Sequence, residues 1–186
     1  MKTHLLPAIK LTLVTLVAFA VCYPLVLLGI AQLAPNNGKG QVISANGKKY
    51  YANIGQAFTA DRYFNSRPSM VDYNAAGSGA SNKGPSNEEY LAVVQARIDT
   101  FLVHNPEVSK SEIPVELVTA SASGLDPHIS PKAARVQVKR IAAARNLPAD
   151  QLEALISEQI EQPFLGVMGP EKINVLKLNL ALDALD

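Results

Sequence analysis

Cysteine is almost absent from this chain of 186 residues: Cys22 is the only one. A single thiol cannot staple a fold, and this one lies inside an apolar run, where it acts as a small apolar filler. Histidine is scarce as well, limited to His4, His104 and His128. With His4 on the near side of the apolar run, two histidines and no cysteine remain for a transition-metal site. No acids cluster for a hard cation either. Asp and Glu are missing before Asp61, and charge of either sign is missing between Lys10 and Lys39. The net charge of +1 provides no strong field for nucleic acid. No G-x-S-x-G elbow and no internal repeat occur.

The charge gap contains the apolar stretch Leu11 to Ala34. About 20 apolar residues in a helix cross the hydrocarbon core, so residues 11–34 read as a transmembrane helix. Pro24 falls mid-span, where it would kink the helix but is tolerated. The rival is a cleaved signal peptide, with Gly29-Ile30-Ala31 as small residues at its cleavage site. The length of the run favours a retained anchor. Lys2 and Lys10 on one side nearly balance Lys39, Lys48 and Lys49 on the other, so charge alone leaves orientation open.

Pro35 to Gly40 reads as a linker, and residues 41–186 as one soluble α+β domain. Weak alternation around Asn46-Gly47 predicts a hairpin over Gln41 to Tyr51, with a strand-like piece near Phe58. Asn65 to Asn87 is rich in Ser, Gly, Asn and Pro and must be irregular. Ser86 and Glu89 form an S-x-x-E capping box for a helix that places Leu91, Val94, Ile98, Phe101 and Leu102 on one stripe. Val115 to Val118 reads as a short strand. Ser130-Pro131 opens a helix to about Arg145 with Ala134, Val138 and Ile141 inward and its basic residues on the other faces. A further helix runs from near Pro148 to before Pro163. The alternation of Leu176, Leu178, Leu180 and Leu182 predicts a buried terminal strand, turning helical at its end.

The richest chemistry lies in Val118 to Pro131, VTASASGLDPHISP. Ser121 or Ser123 with His128 and Asp126 suggests an anchored periplasmic serine hydrolase. Against it, the stretch also reads as a polar connection in which serines and Asp126 cap turns, and Gly124 and Pro127 set them. Gly79 to Gly84 fits the G-x-x-x-x-G of a phosphate loop, but Pro85-Ser86 follow where Lys and Ser/Thr belong. Pro85 also lacks an N–H for phosphate. The basic helix from Lys132 to Arg145 spreads its charges around the axis, as a solvated face does. No aromatic interleaving suggests single-strand nucleic-acid binding.

Short blocks in a fixed order carry a resemblance. They are Phe64-Asn65-Ser66-Arg67-Pro68-Ser69, Tyr73-Asn74, Ser78 to Asn82 (with Ser81), Gly84 to Asn87, Thr119 to Pro131, and Asn174-Val175-Leu176 to Leu178-Asn179. In these blocks and in its N-terminal span the chain resembles the C-subunit family of the bacterial Kdp potassium-transporting P-type ATPase. Ala80 departs from the glycine usual there, so this turn position should not demand φ > 0. The resemblance implies a non-catalytic accessory subunit of an ATP-driven potassium importer in the inner membrane. It implies three partners: a channel-like potassium-translocating subunit, an ATP-hydrolysing P-type subunit and a small single-span subunit. ATP and potassium would be handled by that complex, with no cofactor bound by this chain. Residues 1–10 would be cytoplasmic and the soluble domain periplasmic. The family is described as a catalytic chaperone that raises the ATP affinity of the hydrolytic subunit. The resemblance also makes Ser66, Arg67, Pro68, Ser69, Tyr73, Asn74, Ser81, Asn82, Ser121, Ser123, Gly124, Asp126, Pro127, His128, Asn174 and Asn179 candidate docking or structural positions.

Overall fold

A computed structural model describes residues 2–45 and 47–185. The protein is α+β, and its contacts divide it after Tyr51 into two units.

The N-terminal unit begins with helix α1 (Lys2–Val17), continues through a π-helical turn at Ala18–Cys22, and ends in α2 (Tyr23–Ala31). The stretch His4–Ala31 is 28 residues long and apolar enough to cross a membrane. Pro24 explains the π turn. It has no N–H and its ring crowds the carbonyl one turn back, so the helix widens just ahead of it, and Tyr23 N–H donates to Ala18 O. Pro35–Gly38 form a 3₁₀ turn. Strands β1 (Val42–Ala45) and β2 (Lys48–Tyr51) pair antiparallel with Ala45 opposite Lys48. Of the expected hairpin turn, Gly47 sits at φ +72°, and Asn46 lies outside the described residues.

In the second unit, the segment around Phe58 is irregular rather than a strand; Phe58 packs its ring on Tyr63 at 5.5 Å. Residues 65–87 contain no helix or strand, as composition predicts. Helix α3 (Glu88–His104) is capped by Asn87, whose side chain accepts from Tyr90 N–H, and not by Ser86. Asn87 N–H closes a turn on Gly84 O, which places Ser86 inside the turn, and Glu89 pairs with Lys83 instead. The expected stripe forms in part: Val94, Ile98, Phe101 and Leu102 are half-buried and Phe101 packs against the core. None of the α3 residues is fully buried, and Leu91 is 50% exposed.

Val115–Leu117 form a 3₁₀ turn, not a strand; Pro114 precedes them and Thr119 Oγ1 bonds back to Val115 O. Strand β3 (His128–Ile129) leads into α4 (Pro131–Arg135), where Ser130 Oγ accepts from Ala133 N–H. The helix breaks at Val136–Gln137 and resumes as α5 (Val138–Arg145). Ala134, Val138 and Ile141 face the core as predicted. Helix α6 (Ala149–Glu158) buries Leu152, Leu155 and Ile156. Strands β4 (Ile160–Glu161) and β5 (Lys172–Asn174) complete a three-stranded antiparallel sheet in the order β3-β5-β4.

The terminal strand is overturned: Val175–Asp183 is helix α7. Asn174 caps it by accepting from Lys177 N–H at 3.2 Å. Leucine favours helix over strand, and a helix buried on most sides hides Leu176, Leu178 and Leu182 as well as an alternating strand would.

Candidate functional site

Most candidate residues lie on two polar loops, 64–79 and 119–131, tied to α5 and α7; Ser81 and Asn82 follow the first loop, Asn174 ends β5 and Asn179 lies in α7. Phe64 is fully buried, and Asn179 of α7 holds both its peptide groups. Phe64 N–H donates to Asn179 Oδ1, and Asn179 Nδ2 donates to Phe64 O, each at 2.9 Å. A primary amide presents one donor edge and one acceptor edge, so it closes on a peptide unit as a second strand would. Asn174 Nδ2 donates to Ala52 O at 2.6 Å, and Ser66 Oγ to Gln56 O at 2.8 Å. Asn65 N–H donates to the buried Gln137 Oε1 at 2.8 Å.

Arg140, expected on a solvated face, is the hub of this region. Its fork donates to Tyr63 O, Asn65 Oδ1, Gln137 Oε1, Asn105 Oδ1 and Asp61 O. Burial pushes its pKa down, with Asp61 opposing. Arg145 is also inward: its side chain is 1% exposed, pairs with Asp183 at 2.5 Å and lies over the Tyr63 ring at 4.9 Å. Sequence reasoning missed both. The available signal was Gln137, a polar residue placed within the inward register of Ala134, Val138 and Ile141.

Beyond Pro68 the loops clasp each other. Ser69 Oγ donates to Gly124 O at 2.7 Å and accepts from the N–H groups of Val71 and Tyr73. Tyr73 OH donates to Arg67 O at 2.6 Å; burial raises its pKa, with Arg97 opposing. Asn74 Oδ1 accepts from Ala76 N–H. Ser78 Oγ and Gly79 N–H both donate to Ser123 O, at 2.8 and 3.0 Å, and Ser121 N–H donates to Pro68 O. Ser81 Oγ accepts a long bond from Lys83 N–H, and Asn82 takes φ +54°. Ala80 is not among the described residues at positive φ, in keeping with its lost glycine. With Gly79 N–H bonded to Ser123 and Lys83 paired to Glu89, the phosphate-loop match has neither its amide nor its lysine available.

Asp126 and His128 meet across the buried Pro127, but not as part of a triad. Arg67 Nη1 donates to Asp126 Oδ2 at 2.9 Å, and His128 N–H donates to Asp126 Oδ1 at 3.0 Å. The His128 ring presents Nδ1 to Asp126 at 3.6 Å and Nε2 to Glu161 at 3.7 Å. Both ring nitrogens therefore face acids. Among the described residues no serine bonds the imidazole: Ser121 is buried, and Ser123 Oγ accepts from Leu125 N–H. The arrangement lacks the nucleophile–base contact that serine hydrolysis needs.

Burial alone would raise the Asp126 pKa, but the His128 ring and N–H and the Arg67 guanidinium outweigh it and hold the pKa at about 2, below the ordinary 3.8. A depressed carboxyl pKa means that the unfolded chain binds more protons. Its stabilisation is therefore present above about pH 5 and is lost as pH falls toward 2. Asp126→Asn should cost about 1–2 kcal/mol at pH 7, after discounting for a side chain 30% exposed. It should also flatten the acid limb of stability against pH in urea titrations. An unchanged acid limb would show that the pairing contributes nothing.

Comparison with known proteins fixes the family. A family model described as "KdpC: K+-transporting ATPase, c chain" matches residues 5–184. The chain belongs to the KdpC family. It is 57% identical over 183 residues to the potassium-transporting ATPase KdpC subunit of Flavobacterium johnsoniae, covering 98% of both chains. The Bacteroides fragilis KdpC subunit is 53% identical over all of this chain and 98% of its own. That of Polaromonas naphthalenivorans is 46% identical over all of this chain and 96% of its own. KdpC membership makes the chain a membrane-associated subunit of a potassium-transporting ATPase complex, and the matched region takes in its candidate membrane span from residue 5 onward.

Proposed function

We propose that this chain is a non-catalytic accessory subunit that stabilises an ATP-driven potassium importer and raises the ATP affinity of its hydrolytic subunit. The observation that carries the reading is the family match over residues 5–184, span and second unit together. The internal bonding of the polar loops supports it. Ser66, Ser69, Asp126, Asn174 and Asn179, which the sequence analysis offers as candidate docking or structural positions, spend their polar atoms holding backbone.

In this reading residues 1–10 are cytoplasmic, 11–34 cross the inner membrane, 35–40 link, and 41–186 are periplasmic. The partners are a channel-like potassium-translocating subunit, a P-type ATP-hydrolysing subunit and a small single-span subunit. ATP and potassium are handled by those partners, and any effect on ATP affinity passes through the span and its neighbours. Protease added to intact spheroplasts should remove the soluble part while a cytoplasmic marker survives. Purification in mild detergent should recover the chain with a multi-span protein and a P-type ATPase. Protection of the soluble part, or recovery as a lone monomer, overturns the reading.

A further inference from the structure

The hairpin joining β4 to β5 ends in Gln162 to Pro170, QPFLGVMGP, a segment without a single charge. Its tip is closed by two backbone bonds: Phe164 N–H donates to Met168 O and Met168 N–H to Phe164 O, both at 3.0 Å. Gly166 N–H adds a bond to Pro163 O at 2.9 Å. The side chains held by this frame point outward. Phe164 is 70% exposed, Leu165 77%, Val167 82% and Met168 60%.

Single exposed apolar residues are ordinary, but four on one short tip form a patch of the kind that marks a contact site. The backbone there is also unusual. Leu165 takes φ +54°, a left-handed conformation that costs a non-glycine residue about 1 kcal/mol. Strain of this kind concentrates where a side chain must be aimed.

We infer that this tip is an anchoring finger that inserts into an apolar pocket on another protein subunit of the potassium-transporting ATPase. The inference rests on the chain being such a subunit. Charge argues for a protein pocket over a lipid surface. Membrane-surface segments add Lys or Arg around their apolar side chains, to engage anionic headgroups. Here the flanks are Glu158, Glu161 and Glu171 against Lys172, and the tip has no base. Lys172 and Lys177 are already engaged with Glu161, at 3.8 and 2.7 Å. Two copies packed tip to tip would bring the same acidic flanks together. An uncharged pocket has no such penalty, and a preformed tip enters it with little ordering cost.

The test uses the full chain in membranes that produce the whole complex, recovered through a tag on this chain. Benzoylphenylalanine in place of Phe164 should, on irradiation, give an adduct with a multi-span subunit. The same group in place of Gln151, exposed on α6, should not. A Phe164→Ser, Leu165→Ser, Val167→Ser variant should keep the wild-type melting midpoint, because these side chains touch no core, yet recover at least about tenfold less partner after detergent washing. Adducts confined to lipid or to a second copy of this chain overturn the inference while leaving the subunit assignment intact. So do the absence of any adduct from a recovered complex, and wild-type partner recovery by the triple variant. Failure of the unmodified chain to recover any partner overturns both.

Discussion

Arg140→Met is expected to lower the unfolding midpoint of the second unit by about 10 °C, from a loss of about 3 kcal/mol at roughly 3 °C per kcal/mol. The Arg140 side chain is 6% exposed, and the nearest carboxylate oxygen, on Asp61, is 3.7 Å away. The charge is held instead by neutral oxygens: Tyr63 O at 3.0 Å, Asn65 Oδ1 and Gln137 Oε1 at 2.7 Å, and Asn105 Oδ1 at 3.1 Å. Methionine fills much of the volume but donates nothing, so several buried acceptors lose a partner together, at a cost of about 1 kcal/mol or more each. Arg140→Lys keeps the charge without the planar fork and should recover less than half of the loss. Circular-dichroism melts of the full chain in detergent measure both variants. A midpoint for Arg140→Met within about 3 °C of wild type would remove Arg140 from its place at the hub.

Gly124→Ala is the second large effect, and it separates two causes. Gly124 sits at φ +70°, where any side chain costs about 1 kcal/mol. A Cβ there would lie 2.6 Å from Val71 Cγ2 and 3.0 Å from Gly79 O. The valine methyl can be removed; the carbonyl cannot, because Gly79 N–H and Ser78 Oγ are both fixed to Ser123 O. The single variant should lose about 2–3 kcal/mol. In a Val71→Ala background the added cost of Gly124→Ala should fall by about 1 kcal/mol, leaving the backbone part. Urea midpoints for the four proteins test this. Strict additivity would mean that the loop yields elsewhere and that the clasp is not rigid.

Both positions show where sequence reading succeeds and where it stops. Local rules found the Ser130-Pro131 helix start, because a cap and a first-turn proline act within four residues. They found the irregular 65–87 loop for the same reason. They misplaced the α3 cap at Ser86, because Asn87 offers equal capping chemistry one residue later. They read α7 as a strand, since alternating leucines satisfy either period once a segment is buried on several sides. The serines, Asp126 and His128 looked catalytic by composition. Only their distances showed that both His128 nitrogens face acids and that the clasp is bonded internally.

The sequence by itself determined the apolar span, the α+β class, the polar loop and the family, because hydropathy, capping and ordered motifs are written in neighbouring residues. Tertiary structure alone decided the fate of the polar side chains. Arg140 and Arg145 look like surface charges on a basic helix, and Asn179 like a polar interruption among leucines, until the loop from Asp61 to Asn65 packs over them. A buried polar group is stable only if a partner arrives from elsewhere in the chain, and those partners are 75 to 115 residues away.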